Sequence, residues 1–201
     1  MRLPAKSVLL GATAAVLAVA AYALLPPGQQ ASPNAVSVTN ELCIVAPATP
    51  YDASSGLAMR APKSIPADAR CPICGMYPAR TPRWAAQTVF QDGASHFFDT
   101  PVDLFVFLQR SGRGRTRYAP ADIIASYVTD FETGKWIEAQ HAFFVQGSTT
   151  KGPMRGADLP AFATRAAADA FTRGQGGTPL EFKQVTPELI QSMNRNTHHR
   201  H

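Results

Sequence analysis

Cysteine is scarce in this chain: Cys43, Cys71 and Cys74 are the only 3 among 201 residues. An odd number cannot all pair within one molecule, so a purely structural disulfide framework does not fit and at least one thiol is left for other work. Charge is thin as well: 16% of residues are charged, and 19 Lys and Arg against 14 Asp and Glu leave a formal net charge of +5. Such a balance permits anionic partners without requiring nucleic acid, and no stretch follows a nucleic-acid-binding pattern, so no nucleic-acid partner is expected. After Cys71 and Cys74 no further Cys or His pair stands at the interval a closed zinc site needs. Asp99, Asp103 and Asp122 form no recognisable nucleophile-and-base arrangement, which leaves a hydrolase without support. The expectation is a protein that is not an enzyme.

What is present begins with a core: 45% of the residues are apolar, enough for one domain of ordinary size or two small ones. Arg2 and Lys6 precede an apolar run over residues 7–25, the pattern of a positive n-region followed by a signal peptide or membrane anchor. The run approaches the ~20 residues needed to span a bilayer, while Ala21-Tyr22-Ala23 offers a small-residue cleavage site. Both outcomes imply export. A buried soluble helix fails because Pro26, Pro27 and a polar stretch leave it nothing nearby to pack against. Residues 26–70, rich in Pro, Ala and Ser without a sustained period, read as a tether. Cys43 lies inside it, out of context for lipid attachment; it reads as an unpaired thiol, a transient disulfide partner for Cys71 or an extra ligand.

The compact part is expected over residues 71–185. Residues 84–90 are apolar and β-prone, Gln91-Asp92-Gly93 supplies a hairpin turn, and residues 94–98 form the returning strand. Thr100 then caps a helix with Pro101 at its first position and Asp103 at its third, a variant of the capping box, with Leu104, Phe107 and Leu108 on one face. Residues 123–131 read as a further strand. The order recurs: a long strand over 136–145, a short one over 159–163, an Ala-rich helix capped by Thr164 and running to Arg173, and a last strand over 180–185. Phe98, Thr100 and Phe107 fall over Phe162, Thr164 and Phe171, so the expected fold is α+β, a duplicated β-β-α-β unit. Residues 186–201 read as a polar tail, its terminal histidines able to capture metal only adventitiously.

Chemistry concentrates in Cys71-Pro72-Ile73-Cys74-Gly75-Met76-Tyr77-Pro78. Two thiols and a thioether within a short loop are soft donors of the kind copper(I) prefers over oxygen. Gly75 lets Cys74 and Met76 converge, and a thioether, unlike a thiol pair, cannot be lost to a disulfide outside the cytoplasm. Met76 could equally fill a core gap. Met154, in the Pro- and Gly-rich loop Lys151-Gly152-Pro153-Met154-Arg155-Gly156, is a second candidate donor or a packing residue beneath that loop. His96 and His141, within expected strands beside aromatics, read as partly buried, hydrogen-bonded residues more than as ligands. A thioredoxin-like role for the Cys-x-x-Cys pair would need a helix opening at the motif, which Gly75, Pro78 and Pro82 disfavour. Arg110, Arg113, Arg115 and Arg117 read as a solvated loop, or as a surface for an acidic partner or anionic lipid headgroups.

Together with Trp84-Ala85-Ala86-Gln87, Phe97-Phe98-Asp99, Trp136-Ile137-Glu138-Ala139, Ala142-Phe143-Phe144-Val145 and Gly152-Pro153-Met154 in that order, this loop resembles the NosL family, copper-binding accessory proteins of nitrous oxide reductase assembly. The similarity covers roughly residues 71–185. A YHS domain, which shares the Cys-x-x-Cys-Gly-Met string, would have a later cysteine, and none follows Cys74. The resemblance implies a duplicated β-β-α-β domain, periplasmic, free or held to the inner membrane, that binds Cu(I) and delivers it to a copper enzyme or transfer partner. Cys74 and Met76 match the family's principal ligands and Met154 its Gly-Pro-Met element, with Cys71 a further candidate. Family members are commonly lipoproteins, whereas this chain has no cysteine at a lipid-attachment position, so its acceptor could be another copper enzyme.

Overall fold

A computed structural model describes residues 46–109 and 117–198, with side chains through residue 193. The expected signal or anchor, Cys43, the first part of the tether, Arg110, Arg113, Arg115 and the last histidines lie outside the described residues. Among those described, no helix is long and apolar enough to cross a membrane.

In the middle of the core lies an eight-residue helix, α1 (Pro101–Leu108). Its sequence is apolar nearly all round, which suits a helix with protein on several sides. On one side lies an antiparallel four-stranded sheet in the order β2-β1-β3-β4, from β1 (Ala86–Phe90), β2 (Ser95–Phe98), β3 (Ile123–Thr129) and β4 (Trp136–Glu138). Phe107 meets Phe90 and Phe98 at ring centroid distances of 6.2 and 5.4 Å. On the other side Phe105 packs against Phe144 and Phe182, each at 5.1 Å. Phe144 belongs to a second, three-stranded antiparallel sheet in the order β6-β5-β7, from β5 (Phe143–Gln146), β6 (Ala161–Phe162) and β7 (Thr178–Glu181).

In chain order β1, β2, α1 and β3 come first, with β1 between β2 and β3 and β4 added on β3; β5, β6, a helix and β7 repeat that order, with β5 between β6 and β7. In the second unit the helix is α2 (Arg165–Gln175). Thr100 and Thr164 cap α1 and α2 alike, each hydroxyl accepting the N–H three residues on, from Asp103 and Ala167. Phe171 on α2 packs on Phe162 at 4.9 Å. The sheets meet at Asp130: it bridges to Ala161, and its carboxylate accepts the N–H groups of Glu132, Thr133 and Ala163.

Three expectations are corrected. Residues 136–145 are not one strand: the chain corners through a 3-10 turn, Ala139–His141, and passes from the first sheet to the second. Ala139 and Ala142 are both buried there, small enough for the corner to press into the core. His141 is therefore not in a strand but exposed on the turn, 3.2 Å from Glu138. The fold also starts before Cys71. Lys63 exchanges two hydrogen bonds of 3.0 Å with the buried amide of Gln87, the Tyr127 hydroxyl donates to the Arg60 carbonyl at 2.8 Å, and Thr49 pairs with Ser95. Gln87 and Tyr127 are register partners, so the later half of the expected tether covers the sheet face turned away from α1.

The expected polar tail is the third correction, because α3 (Pro187–His198) follows β7 and its turn. Ile190 and Met193 are buried in the same core cluster as Leu104 and Phe105. Three-residue spacing makes such neighbours share one helix face, and a short apolar stripe in a polar segment is easily read as tail. Ile190→Ala should lower unfolding stability by about 2–5 kcal/mol, measured as a shift in the urea midpoint at constant slope; an unstructured tail would show no change.

Candidate metal centre

The loop ahead of the first sheet closes on itself. The Cys71 N–H donates to the Met76 carbonyl at 2.8 Å, and the Gly75 N–H donates to the Cys71 carbonyl at 2.9 Å. Closing so tight a loop puts Gly75 at φ +75°, a left-handed conformation that costs glycine least. This folds Cys74 back toward Cys71, while Ile73 and Cys74 lean on the core. Neither thiol is in a disulfide.

Across from the loop stands the first turn of α1. The Cys71 thiol donates to Asp103 Oδ2 at 3.3 Å. The two Sγ atoms and an Asp103 carboxylate oxygen all lie within 4.8 Å of one another, and among the described residues this is the group of His, Cys, Asp and Glu side chains able to hold a metal ion. Cys71 is fully buried, Cys74 half-buried and Met76 exposed. The Cys74 thiol is pushed well above the usual thiol range by its hydrogen bond with Cys71, then by burial and by the charges of Cys71 and Asp103, with the Met76 N–H pulling the other way. Two thiolates and a carboxylate so close cannot all be charged without a cation among them; a soft metal replacing the protons relieves that repulsion.

Sequence reasoning placed Asp103 at the cap and missed it here. The Thr100 hydroxyl accepts the Asp103 N–H, and the Asp103 carboxylate faces the loop. An acid in the first turn of a helix that follows a thiol-bearing loop was the available signal. Asp158 was missed too. It is buried against the same turn, and burial pushes its carboxyl up to about 7, opposed by hydrogen bonds from the Leu159 N–H, the Thr100 side chain and the Val102 N–H and reinforced by the charge on Asp103. Burial likewise raises Asp99, whose Oδ1 accepts from the Thr81 hydroxyl at 3.2 Å.

Met154 sits on a separate small hairpin that Lys151 and Ala157 close by pairing. The Arg155 N–H bonds back to the Gly152 carbonyl at 2.8 Å and leaves the Met154 side chain 61% exposed, so it is not a packing residue. The hairpin rests on Asp158 so closely that a Cβ at Gly152 would overlap the carboxylate. Through Asp158 the Met154 loop is tied to the first turn of α1, and so to Asp103 and Cys71. His96 lies elsewhere, buried among Phe90, Phe98, Phe107 and Tyr118. Neither of its ring nitrogens has a hydrogen-bond partner among the described residues, and burial depresses it to about 4.

Residues 62–190 match the family model described as NosL. The copper-binding lipoprotein NosL of Achromobacter cycloclastes is 30% identical over 114 residues, 51% of this chain and 56% of that protein. The chain therefore spans about half the length of the curated relative it matches. The crystal structure of the copper chaperone NosL from Shewanella denitrificans superposes with a TM-score of 0.53 at 23% identity, covering 64% of this chain and 98% of that one, a likeness of fold. The solution structure of apo-NosL from A. cycloclastes gives a TM-score of 0.39 at 29% identity over 52% of this chain and 87% of that one.

Two buried groups set opposite pH dependences. Asp158 has a folded pKa above its unfolded value, so its contribution is fully present at low pH and is lost as pH rises from about 4 to about 7. His96 is depressed, so its contribution is lost as pH falls from about 6.5 to about 4. In the parent the two partly cancel. Asp158→Asn should unmask a stability that rises with pH and His96→Phe one that falls with it, each by a few kcal/mol, read by denaturant unfolding at several pH values. Gly152→Ala should cost about 1–3 kcal/mol from overpacking against Asp158, seen as a lowered melting temperature.

Proposed function

From the premise that this chain belongs to the NosL family, we propose that it is an exported copper(I)-binding chaperone, not an enzyme, that passes its metal to a copper protein outside the cytoplasm. Nitrous oxide reductase is the acceptor the family name suggests. The observation that carries the reading is the meeting of the Cys71 and Cys74 thiols with Asp103 beside an exposed methionine. Copper(I) gains more from sulfur than from oxygen, so Cys71, Cys74 and Met76 are the donors we assign, with Met154 able to add a thioether from its neighbouring loop. Asp103 accepts the Cys71 proton's hydrogen bond in the metal-free protein and balances charge near the bound ion. Residues 7–25 would export the chain to the periplasm or hold it at the inner membrane, and the two units read as one β-β-α-β unit used twice.

The gradient from buried Cys71 to exposed Met76 suits delivery. An incoming ligand reaches the metal on the Met76 side while the inner thiolates still hold it, so the ion is never released to water. A thiol-disulfide oxidoreductase fits less well, since the buried thiol gives its hydrogen bond to a carboxylate, and a negative neighbour disfavours the thiolate. A zinc module is the reading an Asp ligand favours. It predicts that removing metal unfolds the domain.

Competition for copper(I) against bathocuproine disulfonate under anaerobic conditions, with the full chain in non-ionic detergent, tests the assignment. Cys71→Ser and Cys74→Ser should each weaken binding by at least about tenfold, and Met76→Leu by less, since a neutral thioether binds more weakly than a thiolate. If Cys74→Ser and Met76→Leu both bind one equivalent as tightly as the parent, the site is elsewhere. Thermal melts should change little when copper is chelated; unfolding on chelation would favour the structural-metal reading.

A further inference from the structure

The rim of this loop carries positive charge that is held in place and left unneutralised. Arg70, just before Cys71, lies over the Tyr77 ring at 4.3 Å, donates to the Gly75 carbonyl at 3.3 Å and bonds the Tyr77 hydroxyl. Arg80 lies over the same ring at 4.5 Å. One 3-10 turn further on, Arg83 lies over Phe131 at 5.4 Å. All three are exposed, and so is Met76 between them in sequence. Elsewhere on the described surface Arg60, Arg117 and Arg165 meet acids, Glu138, Asp92 and Asp169, while Arg155 and Arg173 are unpaired by any carboxylate but are not stacked on a ring. None of the three arginines at the loop has a carboxylate within ion-pair distance among the described residues.

An exposed arginine normally loses side-chain freedom when it docks a partner, and stacking on an aromatic ring removes part of that cost beforehand. Guanidiniums already fixed and lacking an internal acid give a field that steers negatively charged surfaces onto the loop. We infer that the face carrying Arg70 and Arg80, stacked on Tyr77 next to Met76, and continuing to Arg83 in the following turn, is the docking surface for an acidic protein face that exchanges copper with this chain. The inference rests on the copper reading above. A protein is favoured over a lipid surface because the charge stands on the loop that exposes a soft donor, and a lipid headgroup offers no ligand to take or give the metal. This surface differs from the arginine-rich loop after α1 that the sequence suggested.

The test uses the full chain in non-ionic detergent and a fluorescein-labelled synthetic peptide with three methionines flanked by Asp and Glu. A matched peptide carries Asn and Gln in place of the acids. Fluorescence anisotropy with the copper-free chain should show the acidic peptide binding at least about tenfold tighter at low salt. The preference should fall below about twofold near 0.5 M NaCl, as screening requires. The triple variant Arg70→Gln/Arg80→Gln/Arg83→Gln should lose the preference while its copper(I) titration is unchanged. The control Arg117→Gln/Arg173→Gln/Lys183→Gln, with the same loss of charge, should keep it.

Equal binding of the two peptides overturns the proposal, and so does equal loss of the preference in the control, which would leave only net charge. A copper affinity that drops in the loop variant with no peptide present assigns the arginines to the metal and overturns it as well. Phosphatidylglycerol vesicles that bind through the same arginines when the peptides do not would replace the protein partner by a membrane. A chain that takes no copper(I) yet keeps its acid preference refutes the copper reading and leaves the docking surface standing.

Discussion

The first turn of α1 is the constraint on which the rest depends. Within it Thr100 accepts the Asp103 N–H, Asp158 reaches in from the second unit, and Asp103 receives the Cys71 thiol. A helix start leaves several N–H groups unsatisfied, and a buried one must find acceptors within the protein. Here they come from both units, so a local requirement of helix capping locks the two halves at one point. The aromatic contacts of Phe105 and Phe107 on opposite sides of the helix complete the lock.

That arrangement also explains why so much acid gathers beside two thiols. Asp99, Asp103 and Asp158 crowd one helix end, where the peptide dipoles offset part of their charge, and burial keeps Asp99 and Asp158 inclined toward their neutral forms. A cation brought to Cys71 and Cys74 would meet the two sulfurs and the Asp103 carboxylate together. Exposure grades outward from Cys71 through Cys74 to Met76, so metal would be held from inside and reached from outside. The arginines at the rim add the opposite sign where a partner would arrive, which keeps the attraction for the metal and the attraction for its carrier on separate surfaces.

Much of the domain was legible in the residues. Thr100 and Thr164 were readable as caps because a hydroxyl before a Pro or Ala-rich run has one strong use, and the hairpin at Asp92 and Gly93 was readable from turn chemistry. The strand over 136–145 was misread because alternation alone does not show where a chain changes sheets. The helix after β7 was missed because Ile190 and Met193 make a stripe of two residues, visible only once the core they enter is known. Cys71, Cys74 and Met76 were found as a loop of soft donors, but their depths could not be ranked.

By itself the sequence determined that one loop gathers soft side chains, that two helices are capped by Thr100 and Thr164, and which family the chain belongs to, because these rest on short local patterns or on several such patterns in order. Tertiary structure alone decided that Asp103 faces the thiols and that Asp158 ties the Met154 hairpin to the same helix end. It also decided that arginines on either side of the loop stack where no acid answers them. The first two relations join residues tens of positions apart, which only packing around α1 brings within reach of a hydrogen bond; the third depends on which charges the fold leaves near one another.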